Sequence, residues 1–461
     1  QVSDSIGIPL GIFIGLGQIP LVLWVVILPS LTAFAACSVV ASIACEPLRR
    51  LPADAHWTQR ARMVWPIRTL SLPLFVLATL MPATNFMATQ PESFPYSKGL
   101  VIFFVVLSAG TGALFAIARM RMVISQQAHP AWHVLRDFVV YITCFFGLTL
   151  VSGTAVLMFS STLSQGWGLL AAVVTAVLLG MTQFYTAGIP FLKMLGLVRP
   201  APERIVALTD EAARRSGSIS RPVVLIHWGI ANALAFPGCQ LIGITDRACK
   251  ALDDQQIIAI MAHELAHLDE SAGEKRRRLM MSIAISVFPV LLLASIIHDF
   301  LFGKIAIFAI FFFLLTTAQS FSRRMEEKAD TVGRSAETEA GEYALALEQI
   351  HRVNLIPAVL SSTPQHTHPE LYDRMQACGI TPDYPRPAPP ERFNFKAAAA
   401  AFAILVFGTV AGLLVPVILV DSMARSIPAR HDEPTGMIRP KSQEAAGQFT
   451  PSLASTKSDS L

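Results

Sequence analysis

Long apolar segments alternate with two polar blocks along this chain. A helix needs about 20 apolar residues to cross a bilayer, and eight segments approach that length: residues 20–45, 70–88, 100–118, 138–160, 168–192, 279–300, 302–320 and 397–421. Pro73 and Pro82 fall inside the second segment, so the expected count of eight spans carries a margin of about one. The pattern predicts a mostly α-helical protein with a multi-span membrane region.

The polar blocks divide the chain into six expected parts. They are an N-terminal membrane region with about five spans at 1–192, a first polar part at 193–278, a membrane hairpin at 279–320, a second polar part at 321–395, a last span at 396–421 and a tail at 422–461. The tail is polar and poor in aromatic residues, which predicts disorder. The proline-rich "TPDYPRPAPPER" cannot be helical throughout.

Local patterns in the first polar part predict an α+β arrangement. "PERIVALTDEAARRSG" has apolar residues at helical spacing and ends on Gly217, as an amphipathic helix would. "PVVLIHW" and "QLIGIT" are typical of short strands on either side of "ANALAFPG". "LDDQQIIAIMAHELAH" lacks Gly and Pro, and Asp253 and Gln256 stand where a capping box would begin a helix.

Composition supports the membrane interpretation. Of 461 residues 53% are hydrophobic and only 15% are charged, against roughly 25% charged residues in soluble domains. The net charge of +4 is small and the basic residues lie in short loops beside apolar segments; we therefore expect a lipid bilayer, and no nucleic acid, as a partner. The six cysteines form no CxxC pair, which argues against a disulfide framework or a cysteine metal site and favours a reducing compartment.

The distribution of basic residues predicts the orientation, because Lys and Arg in short loops favour the cytoplasmic side. They cluster after the first predicted span, between the third and fourth, before the sixth and after the seventh: Arg49, Arg50, Arg60, Arg62, Arg68, Arg119, Arg121, Arg136, Lys275, Arg276, Arg277, Arg278, Arg323 and Arg324. We expect a multi-pass protein of the cell (inner) membrane with its N-terminus outside and both polar parts facing the cytoplasm.

The sequence "HELAH" at 263–267 is a candidate metal motif. Residues four apart share one face of a helix, so His263 and His267 can direct ring nitrogens at one metal ion while Glu264 stays beside them. H-E-x-x-H thus combines two zinc ligands with a carboxylate that can take a proton from water. Composition alone produces this pattern on the order of once in a hundred such chains, which leaves open a surface helix with incidental histidines.

A catalytic zinc needs a third protein ligand and an open position. "SFSRRMEEKADTVG" offers Glu326, with Asp330 one turn later on the same face, where its carboxylate could orient a histidine ring N–H. The alternative is a solvated helix on which Arg323 and Lys328 pair with these acidic residues.

Several motifs occur in an order that resembles a known family. "NALAFPG", "HELAH", a two-span hairpin, "SRRMEEKAD" and "THPELYDR" follow one another over roughly residues 195–376. This order is similar to that of the membrane zinc metallopeptidases that include the bacterial heat-shock protease HtpX and the CAAX prenyl endopeptidases. Five predicted spans before the zinc helix are closer to the CAAX protease architecture, whereas the last span and the tail fit neither simply.

The resemblance implies a gluzincin-like zinc protease domain with one Zn²⁺ per chain. It makes His263, His267 and Glu326 the metal ligands, Glu264 the catalytic base and Asp330 a residue that supports a ligand. "NALA" resembles an edge strand that aligns substrate, so Asn232 and Ala233 are candidates for substrate binding, and His368 and Arg374 are candidates for catalytic stabilisation of the oxyanion or for anchoring substrate. The plainer alternatives are a turn at Asn232 and a polar loop at His368 and Arg374.

The sequence therefore predicts an integral membrane zinc metalloendopeptidase. Zinc would activate water, and Glu264 would accept its proton and return it to the leaving amine, without a covalent intermediate. Expected substrates are membrane-protein segments, damaged membrane proteins or lipidated peptides. Two alternatives are a membrane sensor-transducer similar to the BlaR receptors and a non-catalytic membrane scaffold; the tail of 40 residues is short and polar for a sensor domain.

Overall fold

The computed structural model describes residues 28–52, 54–68, 131–145, 166–297, 301–360 and 370–391, with a few further positions between 118 and 147 and between 395 and 407. The predicted span at 70–88 and the tail at 422–461 lie outside these residues, as do most positions of the spans at 100–118, 138–160 and 397–421.

The described residues are mostly helical and include one small mixed sheet. The helices are α1 Leu28–Arg49, α2 Ala131–Phe145, α3 Gly166–Thr186, α4 Ile189–Met194, α5 Glu203–Ser216, α6 Asp246–Ala251, α7 Asp254–Leu268, α8 Ala272–Ile297, α9 Leu301–Ser335, α10 Glu342–Asn354 and α11 Leu371–Ala377. Residues 57–68 are also helical. The strands are β1 Val198–Pro200, β2 Val223–Ile226, β3 Ala233–Phe236 and β4 Leu241–Thr245.

The sheet has the order β1-β2-β4-β3, so β3 lies at one edge. β2 and β4 are parallel, whereas β1 pairs with β2 and β3 pairs with β4 in antiparallel fashion. Ala233 stands opposite Ile244 and Phe236 opposite Leu241. The strands predicted in "PVVLIHW" and "QLIGIT" are confirmed as β2 and β4. The "ALAF" strand β3 lies between them in the sequence but at the edge of the sheet.

Helix α7 forms the centre of the core that positions the site. It packs against α5, α9, α10 and β3, and Ile257, Met261, Leu265 and Leu268 are fully buried. The predicted capping box is confirmed: Asp253 Oδ1 accepts from Gln256 N–H at 2.9 Å, and Gln256 Oε1 accepts from Asp253 N–H at 3.2 Å. A capped and buried helix of this kind holds its side chains in fixed positions.

The C-terminal end of α5 lies where the sequence predicts it. Its last residue is Ser216, and Gly217 adopts a left-handed φ of 67° at the helix terminus. Glycine carries no Cβ and accepts this conformation without strain, which is why it commonly ends helices. The predicted amphipathic helix is therefore confirmed in both extent and termination.

Among the described residues, Trp167–Thr186 is the helix that is long and apolar enough to cross a membrane by length and composition. The predicted span at 168–192 does not continue to its end. Helix α3 stops at Thr186, Ala187 and Gly188 have φ values of 46° and 67°, and α4 starts anew at Ile189. Pro190 explains the new start, because proline lacks the amide proton that a continuing helix needs.

Helices α8 and α9 occupy the predicted hairpin and its polar extension. α3 packs closely on α8, where Ser282 Oγ donates to the carbonyl of Gly180 at 2.8 Å. α9 is 35 residues long and runs without a break across the predicted boundary between residues 320 and 321. A single rigid helix therefore carries Glu326 and Asp330 from the apolar segment to the side of α7.

Candidate metal centre

The HExxH motif lies on the buried α7. His263, Glu264 and His267 are 8%, 9% and 7% exposed, so the alternative of a surface helix with incidental histidines is wrong. The Nε2 atoms of His263 and His267 are 3.3 Å apart. This is the result expected when residues four apart share a helical face.

Glu326 from α9 completes the donor set. Its Oε2 lies 3.4 Å from His263 Nε2 and its Oε1 lies 3.4 Å from His267 Nε2. Tetrahedral zinc with bonds of about 2.0–2.1 Å requires ligand atoms separated by about 3.3–3.4 Å. The three side chains can therefore hold one metal ion, and their spacing and donor types fit zinc with one coordination position left open.

Asp330 and Tyr343 support the ligand His263. Its Nδ1 lies 2.8 Å from Tyr343 Oη and 3.3 Å from Asp330 Oδ1. Tyr343 donates its hydroxyl proton to Asp330 Oδ1 at 2.7 Å, so the Nδ1–H of His263 points at oxygen acceptors and its Nε2 lone pair faces the metal site. Asp330 is only 8% exposed, and the alternative of a solvated acidic face is wrong for this residue.

Arg374 contacts the same oxygen atoms. Its guanidinium donates to Asp330 Oδ1 and, at 2.7 Å, to Tyr343 Oη. Its central carbon also lies 5.6 Å from the centroid of the Tyr343 ring. The structure thus places Arg374 beside the pair that supports His263, while its predicted role toward substrate stays a prediction.

Opposing effects set the ionisation of this cluster. Burial would raise the pKa of Asp330, but its hydrogen bond to His263 and the charge of Arg374 hold the pKa below its ordinary value. Burial would lower the pKa of His263, but Asp330 and Glu326 raise it to about 9. Burial raises the pKa of Tyr343 well above its usual range. Asp330 is therefore an anion at neutral pH, and a metal must displace a proton from His263.

The metal-site residues open onto a cavity of about 590 Å³. The edge strand forms another wall of it through Asn232, Ala233, Leu234 and Ala235. The backbone N–H of Asn232 donates to Thr245 Oγ1 and its carbonyl accepts from Thr245 N–H, both at 2.9 Å. The structure thus places both predicted substrate-binding residues at the cavity, whereas His368 lies outside the described residues.

Sequence reasoning missed three features of this site. Tyr343 is 80 positions from His263 and stands in no motif. Glu270, whose side chain is fully buried, pairs with Arg278, which also lines the cavity. Asn354 binds both the N–H and the carbonyl of Ala231, just before β3. The only sequence signal was the charge of Glu270 and Arg278 close to the HExxH motif.

Two histidines and a glutamate on one buried helix, completed by a carboxylate from a second long helix, form the arrangement typical of HExxH metallopeptidases. Residues 201–379 match the model of peptidase family M48, which is the family of the HtpX and CAAX prenyl endopeptidase zinc metallopeptidases. The match confirms the resemblance seen in the sequence and supports a metallopeptidase function. No curated protein was found to match the chain.

Proposed function

We propose that this protein is an integral membrane zinc endopeptidase that cleaves membrane-associated or lipidated proteins at the cytoplasmic face. The observation that carries the proposal is the meeting of His263, His267 and Glu326 within 4.8 Å of one another, beside Glu264 and a cavity with a sheet edge in its wall. This arrangement provides three ligands for a metal ion, a base and a place for an extended peptide.

A bound zinc ion supplies Lewis acidity, which lowers the pKa of water toward neutrality and polarises a carbonyl oxygen. Glu264 takes the proton from the attacking water and returns it to the leaving amine. Asp330 and Tyr343 keep His263 in the tautomer and orientation that binding requires. The edge strand β3 offers backbone groups for pairing with substrate, starting at Ala233. The backbone N–H and carbonyl of Asn232 are bonded to Thr245, so Asn232 contacts substrate through its side chain.

Exposed apolar side chains support a membrane location. On α3 and α9, Trp167 is 83% exposed, Phe302 76%, Phe312 69% and Phe313 68%. Large apolar surfaces of this kind are costly in water and favourable in lipid. Lys275, Arg276, Arg277 and Arg278 at the start of α8 favour a cytoplasmic position for the metal site in the cell (inner) membrane.

The proposal is tested by measuring the metal content and by substituting the proposed catalytic base, Glu264. Purified protein should contain about one zinc per chain and cleave a model membrane protein in detergent or liposomes. Glu264→Gln should keep the zinc and the melting temperature but lower kcat by about 10²–10⁴-fold. The matched control is Glu339→Gln at an exposed carboxylate.

Three results would contradict the proposal. Protein without zinc after gentle purification would remove the metal assignment. Full activity of Glu264→Gln would remove Glu264 as the base. Zinc-loaded wild-type protein that cleaves neither membrane proteins nor lipidated peptides would favour the non-catalytic scaffold.

A further inference from the structure

A second cavity, of about 690 Å³, lies apart from the metal site and shares none of its described lining residues. Its walls come from Arg68 at the end of the helical residues 57–68, from residues 120, 121 and 124, from the start of α2, from α6, from the segment 228–230 and from the end of α10. It is therefore bounded by helices that belong both to the N-terminal region and to the peptidase part of the chain.

The charged groups in the wall of this cavity are mainly cationic. The described lining residues include five cations, Arg68, Arg121, Arg136, Arg247 and Lys250, and two carboxylates, Asp137 and Asp246. Asp137 is 3% exposed and is paired with both Arg121 and Arg136. Among the described lining residues, five cations against two carboxylates leave an excess of three positive charges.

These cations are close enough to repel one another. Burial and the nearby charges of Arg121 and Arg247 together lower the pKa of Arg68 to about 10, with burial the largest cause. An anion placed among the three guanidinium groups would offset both the lost hydration and the repulsion. The cavity is thus electrostatically complementary to a small, highly charged anion.

We propose that this cavity binds a phosphoryl group, either as free phosphate or as the headgroup of an anionic lipid. Guanidinium groups present planar pairs of N–H donors that match phosphate oxygens. The volume accommodates a phosphate ion with room for a larger headgroup. Arg68, Arg121 and Arg136 belong to the basic loops predicted beside membrane spans, where anionic headgroups gather.

The walls of the cavity also hold the segment that leads into β3. Asp137 Oδ1 accepts from Gly229 N–H at 2.9 Å, and Arg247 donates to the Gly229 carbonyl at 2.7 Å. Asn354 binds the N–H and carbonyl of Ala231 at 2.9 and 2.7 Å. A phosphoryl group that draws Arg121 or Arg247 toward itself changes the contacts of Gly229, four residues before the strand begins. We expect a phosphoryl group bound in this cavity to change KM for a peptide substrate. This consequence rests on the proposed function.

The test measures binding without catalysis. Inorganic phosphate, dioctanoyl phosphatidic acid and zwitterionic dioctanoyl phosphatidylcholine are titrated separately into the full chain in detergent by calorimetry. We expect saturable binding of phosphate, of phosphatidic acid or of both. Arg68→Gln combined with Lys250→Gln should weaken Kd by about tenfold or more, and Arg68→Lys combined with Lys250→Arg should restore most of it.

Arg199→Gln is the matched control, because Arg199 is exposed on β1 and does not line the cavity. Zinc content and melting temperature confirm that each variant is folded. Binding of phosphate identifies the free anion as a ligand, and binding of phosphatidic acid alone identifies the lipid headgroup. No saturable binding beyond that of phosphatidylcholine, or equal binding by the glutamine double variant, overturns the proposal. Because the readout is binding, either result is independent of whether the protein cleaves peptides.

Discussion

The hydroxyl of Tyr343 contacts three groups at the metal site. It accepts from Arg374 and from the Nδ1–H of His263 and donates to Asp330. The side chain is 1% exposed, so its removal to phenylalanine leaves the packing intact and deletes only these hydrogen bonds. The residue thus couples a metal ligand to a buried ion pair.

Tyr343→Phe should weaken zinc affinity by about 10–100-fold, because groups that orient a ligand contribute to metal binding on this scale. Competition with a chromogenic chelator measures the change. Tyr372→Phe on α11 is the control, since that side chain packs against Arg386 away from the metal. Equal affinity of Tyr343→Phe and wild type would show that the hydroxyl does not orient His263.

The ion pair of the buried Glu270 and the half-buried Arg278 connects the end of α7 with the start of α8. Arg278 Nε lies 2.7 and 2.9 Å from the two carboxylate oxygens of Glu270. Burial raises the pKa of Glu270, and the hydrogen bond from Arg278 opposes that rise. Without Arg278 the folded-state pKa would rise further above the unfolded value of about 4.3.

Arg278→Met should therefore destabilise the protein in a pH-dependent way. Near pH 4 the carboxyl is protonated in both states and the loss is small. As pH rises through the raised folded-state pKa, stability is lost, reaching about 3 kcal/mol near neutrality. Melting temperatures at pH 5 and pH 8 measure the difference. Glu270→Gln combined with Arg278→Met should remove the pH dependence, and an equal loss at both pH values in the single variant would contradict the explanation.

At the scale of elements, sequence patterns located α5, α7, β2 and β4 well, and the family resemblance of "NALA" located the edge strand β3. Helical periodicity, the Asp253–Gln256 capping box and Gly217 act within a few residues, so the sequence alone reveals them. The ends of α3 and the length of α9 were predicted less well. Hydropathy marks apolar residues and does not register a turn at Ala187 or a helix that continues into polar sequence.

Because α3 packs closely on α8, we expect a larger residue at Gly180 to lower the stability of the protein. A Cβ at Gly180 would lie 2.8 Å from Ile283 Cα and 3.0 Å from the Ser282 carbonyl oxygen. Because these are backbone atoms, Gly180→Ala should force the helices apart and cost about 1–3 kcal/mol, seen as a lower melting temperature in detergent. Gly273→Ala on α8 meets only Ser271 Oγ at 3.9 Å, and should be neutral or stabilising. A rise in melting temperature for Gly180→Ala would refute close packing of the two backbones.

At the scale of the whole molecule, the basic loops predict that the peptidase part faces the cytoplasm. A reporter enzyme fused after Gly217, in an exposed turn, should show cytoplasmic activity. A fusion after Ser97, in the predicted loop at 89–99, should report the opposite side. The same compartment for both fusions, or an external signal after Gly217, would overturn the predicted orientation.

The sequence by itself determined the HExxH helix, its cap, the short strands and the candidates His263, His267, Glu264, Glu326 and Asp330. It could do so because helical spacing and capping are encoded in neighbouring residues. Only the tertiary structure decided that Glu326 meets the two histidines, that Tyr343 and Arg374 close the network around Asp330, and that five cations share a second cavity. Contacts between distant segments depend on how α7, α9 and α10 pack, and no local pattern in the chain records that packing.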